Sequence, residues 1–344
     1  TNESANKNRI ILSILERRDS IHFMRLRADW TTHLHDFRKR ELEIIFHGCP
    51  SAYFDSALEL GAGDGFQSRV IVTYAKRLVA TEYNDTRLER LSAPGVTYAV
   101  CDAERVGEQF AKEEFDLVFA SNLFEHLPHP EQALRGIRNI LRDDGVVALV
   151  MPSVFWKCTH LAFFYPNLIL SFFERVLVPG KIAEWWSRYA LRRETLPTLD
   201  ASGVVAHGNN PKGRAGKPRR SGRFFPLPHG VSSGNIAEFF AFRAKRWVAL
   251  CESEGFLLCD LRRGPVASGY GFGLDGIRAL LERFGFTSAY IYILKKSSAE
   301  VVKYPFHRPW PLLFYARILE YSSVPLLRFL IGRRNGTWNV CMHL

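Results

Sequence analysis

From residue 57 onward, short apolar runs of strand length alternate with stretches in which apolar residues recur at helical spacing. Ala57–Leu60, Arg77–Glu82, Val96–Ala103, Phe115–Ala120 and Gly145–Met151 are the strand-like runs, and 130–142 has the helical period. Two more strand-like runs, Phe256–Leu261 and Ala289–Leu294, close the series. This alternation predicts an α/β fold: a Rossmann-like, doubly wound sheet of seven strands. Ahead of it, residues 5–47 place Ile10, Ile11, Ile14, Leu15, then Phe23, Leu26, Trp30, Leu34, Phe37, Leu42 and Ile45 at helical intervals, with charges between them. We read this as two helices that cap the cleft or pair subunits in a homo-oligomer. Residues 235–247 read as a further helix, with Ser232 or Ser233 as its cap.

The first strand runs into Glu59-Leu60-Gly61-Ala62-Gly63-Asp64-Gly65. Glycine lets the backbone turn sharply and leaves room for a ligand against the main chain, which suits a nucleotide-like cofactor. Alone the pattern is weak, because dinucleotide-binding turns are close to it. The second strand ends in Glu82, about 20 residues on, where a doubly wound fold holds a ribose. A carboxylate there can accept from both hydroxyls of a diol. The third strand ends in an acid, Asp102, and the fourth is followed by Ser121-Asn122-Leu123-Phe124-Glu125-His126-Leu127.

These four motifs, in this order and spacing, resemble the class I S-adenosylmethionine-dependent methyltransferases, of the ubiquinone/menaquinone-biosynthesis-like kind with a large insertion after strand five. The resemblance covers residues 55–153 closely and extends loosely to about 296. Dehydrogenases share the first two motifs and do not usually share the last two. The resemblance implies S-adenosyl-L-methionine as cofactor: Gly61, Ala62 and Gly63 line its methionine part, with Glu59 supporting the turn. Glu82 holds the ribose hydroxyls, Asp102 and Ala103 flank the adenine amino group, and Asn122 and Leu123 lie beside the sulfonium.

Length adds insertions to this picture. A chain of 344 residues exceeds one minimal α/β domain and falls short of two. We divide it into a helical cap (1–50), the cofactor-binding core (51–153), an aromatic and basic insertion (154–234), completion of the core (235–296) and an amphipathic C-terminal extension (297–344). Six cysteines without C-x-x-C spacing read as reduced, buried thiols, and with the polar N-terminus they suggest a cytoplasmic protein.

Between Val154 and Arg223 stand twelve Lys or Arg against four Asp or Glu, a surplus of 8 within the chain's formal +11. Six of these cations lie in 209–223, among Gly, Pro and Ser, where they suit phosphate groups. The aromatic run 161–189 and the tail 309–331 are amphipathic, and neither has the roughly 18 to 20 uninterrupted apolar residues of a membrane span. A lid over the cleft is one reading, and contact with an anionic membrane, peripheral on its inner face, is another.

Methyl transfer from a sulfonium requires an acceptor held in line and, for a hydroxyl acceptor, a base. His229, between Pro228 and Gly230, and His126 are the candidate bases, with Tyr270 and Arg243 shaping the pocket. His126 also fits a packing role. No acidic or histidine cluster has metal-ligand spacing, and His33 and His35 fall on different helix faces, so no metal is expected. The reading is O-methylation of a bulky glycan, a lipid-linked or other amphipathic small molecule. Its rivals are a nucleic-acid methyltransferase using the basic loop and a non-catalytic binding scaffold. Against nucleic acid, strand four lacks an Asn/Asp-Pro-Pro-Tyr/Phe sequence, and no Pro-Cys pair is present.

Overall fold

The computed structural model describes residues 29–177, 226–267, 269–272 and 274–300. The first of the two N-terminal helices, the basic loop 209–223 and nearly all of the C-terminal extension lie outside these. In chain order the elements are α1 (Trp30–Ile45), β1 (Ala57–Leu60), α2 (Ser68–Ile71), β2 (Leu78–Glu82), α3 (Asp85–Leu88), β3 (Val96–Val100) and α4 (Val106–Gln109). Then come β4 (Phe115–Ser121), α5 (Pro130–Ile140), β5 (Leu141–Pro152), α6 (Val154–Leu177), α7 (Asn235–Ala241), α8 (Ala244–Ser253), β6 (Phe256–Arg263), α9 (Asp275–Arg283) and β7 (Ala289–Lys296).

One seven-stranded sheet has the order β3-β2-β1-β4-β5-β7-β6. Strands β3 to β5 pair in parallel, and β7 runs antiparallel to both β5 and β6. The sheet is buried on both faces, which is why β4 is apolar from Leu117 to Ala120 without alternation. Val118 and Ala120 join Leu58, Ile137 and Trp247 on one face, while Leu117 and Phe119 join Ile45, Phe54 and Ile291 on the other. Helix α5 starts with Pro130 in its first turn and buries Ala133, Leu134, Ile137 and Ile140. Each such Leu or Ile contributes about 1.5–3 kcal/mol by leaving water.

Several expectations change. The stretch after the glycine turn holds only the short α2. Strand β3 stops at Val100, so Asp102 lies beyond it and caps a 3-10 turn, Ala103–Arg105, by accepting from the Glu104 N–H at 3.0 Å. Helix 235–247 is two helices: Phe242 ends α7, buried at 1% exposure, and Arg243 is extended (φ −69°, ψ 126°) as the cap residue of α8. The cap residue of α7 is Gly234, with no side-chain hydrogen bond, so neither Ser232 nor Ser233 fills that role. Cys101 and Cys251 are buried, whereas Cys158 is an exposed thiol, because it faces outward on α6.

Candidate active site

At the C-terminal end of β1 the glycine turn is fixed by its own amides. The N–H groups of Gly61 and Ala62 both donate to the Thr81 carbonyl at 2.8 Å, and the Gly63 N–H donates to Glu82 Oε2 at 3.0 Å. Gly61, Gly63 and Gly65 have φ of 76°, 59° and 72°, a region that side chains with a Cβ enter only at a cost. The three differ in what surrounds them. A Cβ on Gly61 would press on Leu123 at 3.3 Å and one on Gly65 on Leu91 at 3.2 Å, but one on Gly63 would meet nothing within 4 Å. That open cradle, walled by the Glu82 carboxylate, fits a ligand lying on the main chain.

Glu59 supports the turn from beneath. It is 1% exposed and accepts from Ser68 Oγ at 2.5 Å. Burial pushes its carboxyl up to about 7, with the Ser68 bond opposing and Asp64 and Glu82 adding to the rise. Beside half-buried Asp102, a cleft of about 480 Å³ is lined by Tyr83, Val100, Arg105 and Gln109, while Ala103 is buried behind it. Tyr83, 72% exposed next to Glu82, offers an aromatic face that the strand pattern alone did not single out.

Helix α1 reaches the same edge. His35 Nε2 lies 2.6 Å from Asp64 Oδ2 and its ring stacks on Phe66. Although burial works against it, the His35 hydrogen bond and a bond from the Phe66 N–H hold the Asp64 carboxyl below the usual range. Arg38 donates to Ser121 Oγ at 2.6 Å and to the buried Glu41 at 2.9 Å. The donors around Asn122 turn its amide oxygen toward Arg38 Nη2, at 3.2 Å. Asn122 itself adopts φ 48° as the chain leaves β4, its N–H bonded to the Val150 carbonyl at 2.8 Å. His35 and Arg38 stand one turn apart on α1, but helical spacing alone could not say which face meets the cleft.

The other side of the cleft comes from parts of the chain far apart in sequence. Gly230 has φ 71°, and a Cβ there would lie 2.2 Å from the Glu125 carbonyl oxygen. This contact, with the Val231 N–H donating to the same oxygen at 3.1 Å, brings the 226–231 segment onto the exit of β4. Asn235 holds the start of that segment, donating to the Pro226 carbonyl at 3.0 Å and accepting from Lys157 Nζ at 2.6 Å. Lys157 also pairs with Glu238, both side chains being fully buried, so that α6 and α7 are joined by an interior ion pair. Ser153 Oγ accepts from the Trp156 N–H at 3.1 Å and fixes the first turn of α6.

The result is a row of rings: His126 against His229 at 4.6 Å between centroids, then His229–Trp156, Trp156–His160 and His160–Tyr270, each at 5.0 Å. Burial, helped by Lys157 and His229, lowers His160 to about 4, so it is neutral at neutral pH, and burial raises the Tyr270 phenol. The buried Glu125 places Oε1 3.8 Å from Nε2 of both His126 and His229. Thus His126, His229 and Tyr270 come into one row, joined by Trp156 and His160. Arg243 is exposed, its guanidinium 4.5 Å over Phe240, and takes no place in the row. The role of Trp156 and His160 was hidden in an aromatic segment with no spacing of its own.

Residues 58–149 match the family described as "Methyltransferase domain". Two trans-aconitate 2-methyltransferases are similar in sequence. That of Rhizobium rhizogenes is 26% identical over 47% of this chain and 60% of its own length, and that of Rhizobium etli is 27% identical over 37% and 50%. The chain therefore spans little more than half of these relatives. The crystal structure of an S-adenosylmethionine dependent methyltransferase from Mesorhizobium loti, 12% identical, covers 75% of this chain and 98% of its own with a TM-score of 0.41. Over residues 58–149 the chain thus matches a methyltransferase domain, and the sheet order, the glycine turn and the Gly63–Glu82 bond around it are consistent with the class I S-adenosylmethionine-dependent family.

Proposed function

We propose that the chain is an S-adenosylmethionine-dependent methyltransferase acting on the oxygen of a bulky amphipathic acceptor, such as a glycan or a lipid-linked molecule. The observation that carries the reading is the open cradle at Gly63 with its amide tied to Glu82. Glu82 would hold the ribose hydroxyls, Gly61 to Gly63 the methionine part, and Asp102 and Ala103 the adenine edge. When bound, the cofactor supplies an electrophilic methyl group on sulfur. The protein's own residues orient the acceptor, exclude water and handle its proton. The Glu125, His126 and His229 cluster is the group suited to the proton, and the rings from Trp156 to Tyr270 form an apolar wall for the acceptor.

A membrane surface as partner, with the protein peripheral on its inner face, is favoured by α6. Tyr165, Leu168, Ile169, Phe172 and Phe173 are each 47–61% exposed and recur at one helix face, close in sequence to the basic surplus. Among the described residues, no helix is long and apolar enough to cross a membrane. A second acceptor reading comes from the relatives' names: a small carboxylate, which needs no base.

Calorimetric titration with S-adenosylhomocysteine, followed by labelled methyl transfer to acceptor panels, tests the reading. We expect one binding site per chain, and its absence would overturn the assignment. A hydroxyl acceptor would make turnover depend on His229, lost in His229→Ala with cofactor binding retained, whereas a carboxylate acceptor would leave it nearly unchanged. Flotation with anionic vesicles tests the membrane contact, which lack of co-flotation would overturn.

A further inference from the structure

We propose that Glu125, His126 and His229 form a binding site for a divalent transition-metal ion, of which Zn²⁺ is the best match. The inference rests on the methyltransferase reading only for its catalytic meaning, since the site stands on its own geometry. Ligand atoms of the three residues all lie within 4.8 Å of one another. Glu125 is 5% exposed, and both its carboxylate oxygens lack a hydrogen-bond donor. A carboxylate taken from water without a donor costs several kcal/mol unless a cation answers it. Among the described residues its recorded ion-pair partners are the two imidazoles and no Lys or Arg, and the buried carboxylate of Glu41 adds further negative charge nearby.

The distances suit one ion. Oε1 is 3.8 Å from each Nε2. Two ligands bound tetrahedrally at roughly 2.0–2.1 Å stand about 3.3–3.4 Å apart, so shifts of about half an ångström would close the two Glu125–histidine pairs, and the imidazole pair, within 4.8 Å, would close by up to about 1.4 Å through ring rotation. Two imidazoles and one carboxylate prefer zinc and its neighbours to magnesium or calcium, and this ligand set leaves a position open for a further oxygen. The backbone supports the site: Gly230 and the Val231 N–H lock the His229 segment to Glu125's own carbonyl, so two of the ligands belong to one hydrogen-bonded unit.

Sequence spacing concealed this set, because His229 lies 104 positions beyond Glu125 and arrives through an insertion. An ion held there would coordinate the acceptor oxygen and lower its pKa, leaving the imidazoles as ligands. The acceptor's proton would then leave to solvent, and the resulting oxyanion would take the methyl group as the sulfonium carbon–sulfur bond breaks.

The test uses the full chain, stripped by chelator and titrated with Zn²⁺ by calorimetry and with Co²⁺ by visible absorption, alongside S-adenosylhomocysteine binding in the same samples. We expect one tight Zn²⁺ equivalent, a Co²⁺ spectrum of low coordination number, and at least about 100-fold weaker Zn²⁺ binding in His229→Ala and His126→Ala with cofactor binding retained. His126 is partly exposed, so its variant keeps the measurement open should Glu125→Gln fail to fold. Absence of Zn²⁺ binding, affinity unchanged in both histidine variants, or turnover indifferent to chelation would overturn the site and leave His229 as a metal-free base. Loss of cofactor binding in the unmodified chain would instead count against the methyltransferase reading.

Discussion

The two sides of the cleft are built on opposite plans. The side proposed for the cofactor is local: Gly61, Gly63, Glu82 and Asp102 sit at successive strand ends of one sheet, tied by backbone amides such as Gly63 N–H to Glu82. The side proposed for the acceptor is assembled from the exit of β4, α6, the 226–231 segment and Tyr270, and it is joined largely by side chains: a buried lysine, an asparagine and a row of rings. Backbone geometry repeated along a sheet leaves a sequence pattern. Side-chain joinery between distant segments leaves almost none, and it can be altered without disturbing the sheet.

If that contrast is right, the largest effect should come from the interior ion pair on the acceptor side. Lys157→Met leaves Glu238 buried without its partner and is expected to lower stability by about 3–5 kcal/mol in denaturant titration. The double change Lys157→Met, Glu238→Leu should recover most of it. A double variant no more stable than the single would break the claim that this pair latches α6 to α7.

The cofactor side carries its own buried charge. Glu59 titrates near 7 in the folded chain against 4.5 for an ordinary glutamate. Between those values the folded state keeps a proton that the unfolded chain has lost, so stability should fall as pH rises from about 4.5 to about 7. The total is about 3 kcal/mol. Glu59→Gln should flatten that slope, which unfolding curves across this pH range would reveal.

Gly63→Val sharpens the comparison further, because the added carbons would enter the open cradle and strain a positive φ. We expect at least about 100-fold weaker binding of S-adenosylhomocysteine, from strain of about 1–2 kcal/mol plus lost contact. Zn²⁺ binding on the acceptor side should be unchanged. The smallest effect expected is about tenfold for Glu82→Gln, where an amide oxygen can still accept from the Gly63 N–H and only the charge-assisted bonds to the diol weaken. Calorimetry on both variants gives the ranking directly.

The same contrast explains what could be read beforehand. The strand runs, the glycine turn and Glu82 were legible because strand burial on both faces and positive φ each leave a mark on residue type. The length of β5 was not, because Arg142-Asp143-Asp144-Gly145 looks like a turn, and the pairing register with β4 shifts there, between Phe115 and Leu117. The break at Phe242 was hidden because its cause is burial against the α6 side of the cleft, where its ring meets Trp156 at 6.0 Å. His229 was visible through the Pro-His-Gly setting, but nothing in the spacing tied it to Glu125, 104 positions earlier, before Gly230 set the two segments together.

The reversed direction of β7 has a practical consequence. Its first residue, Ala289, pairs with Pro152 at the edge where the glycine turn opens, and its last, Lys296, pairs with Phe256 at the opposite edge. The chain beyond Lys296 therefore sets out from the far rim of the sheet, away from the cleft mouth. A reporter joined after residue 300 would start from the back of the molecule and should leave cofactor entry unobstructed.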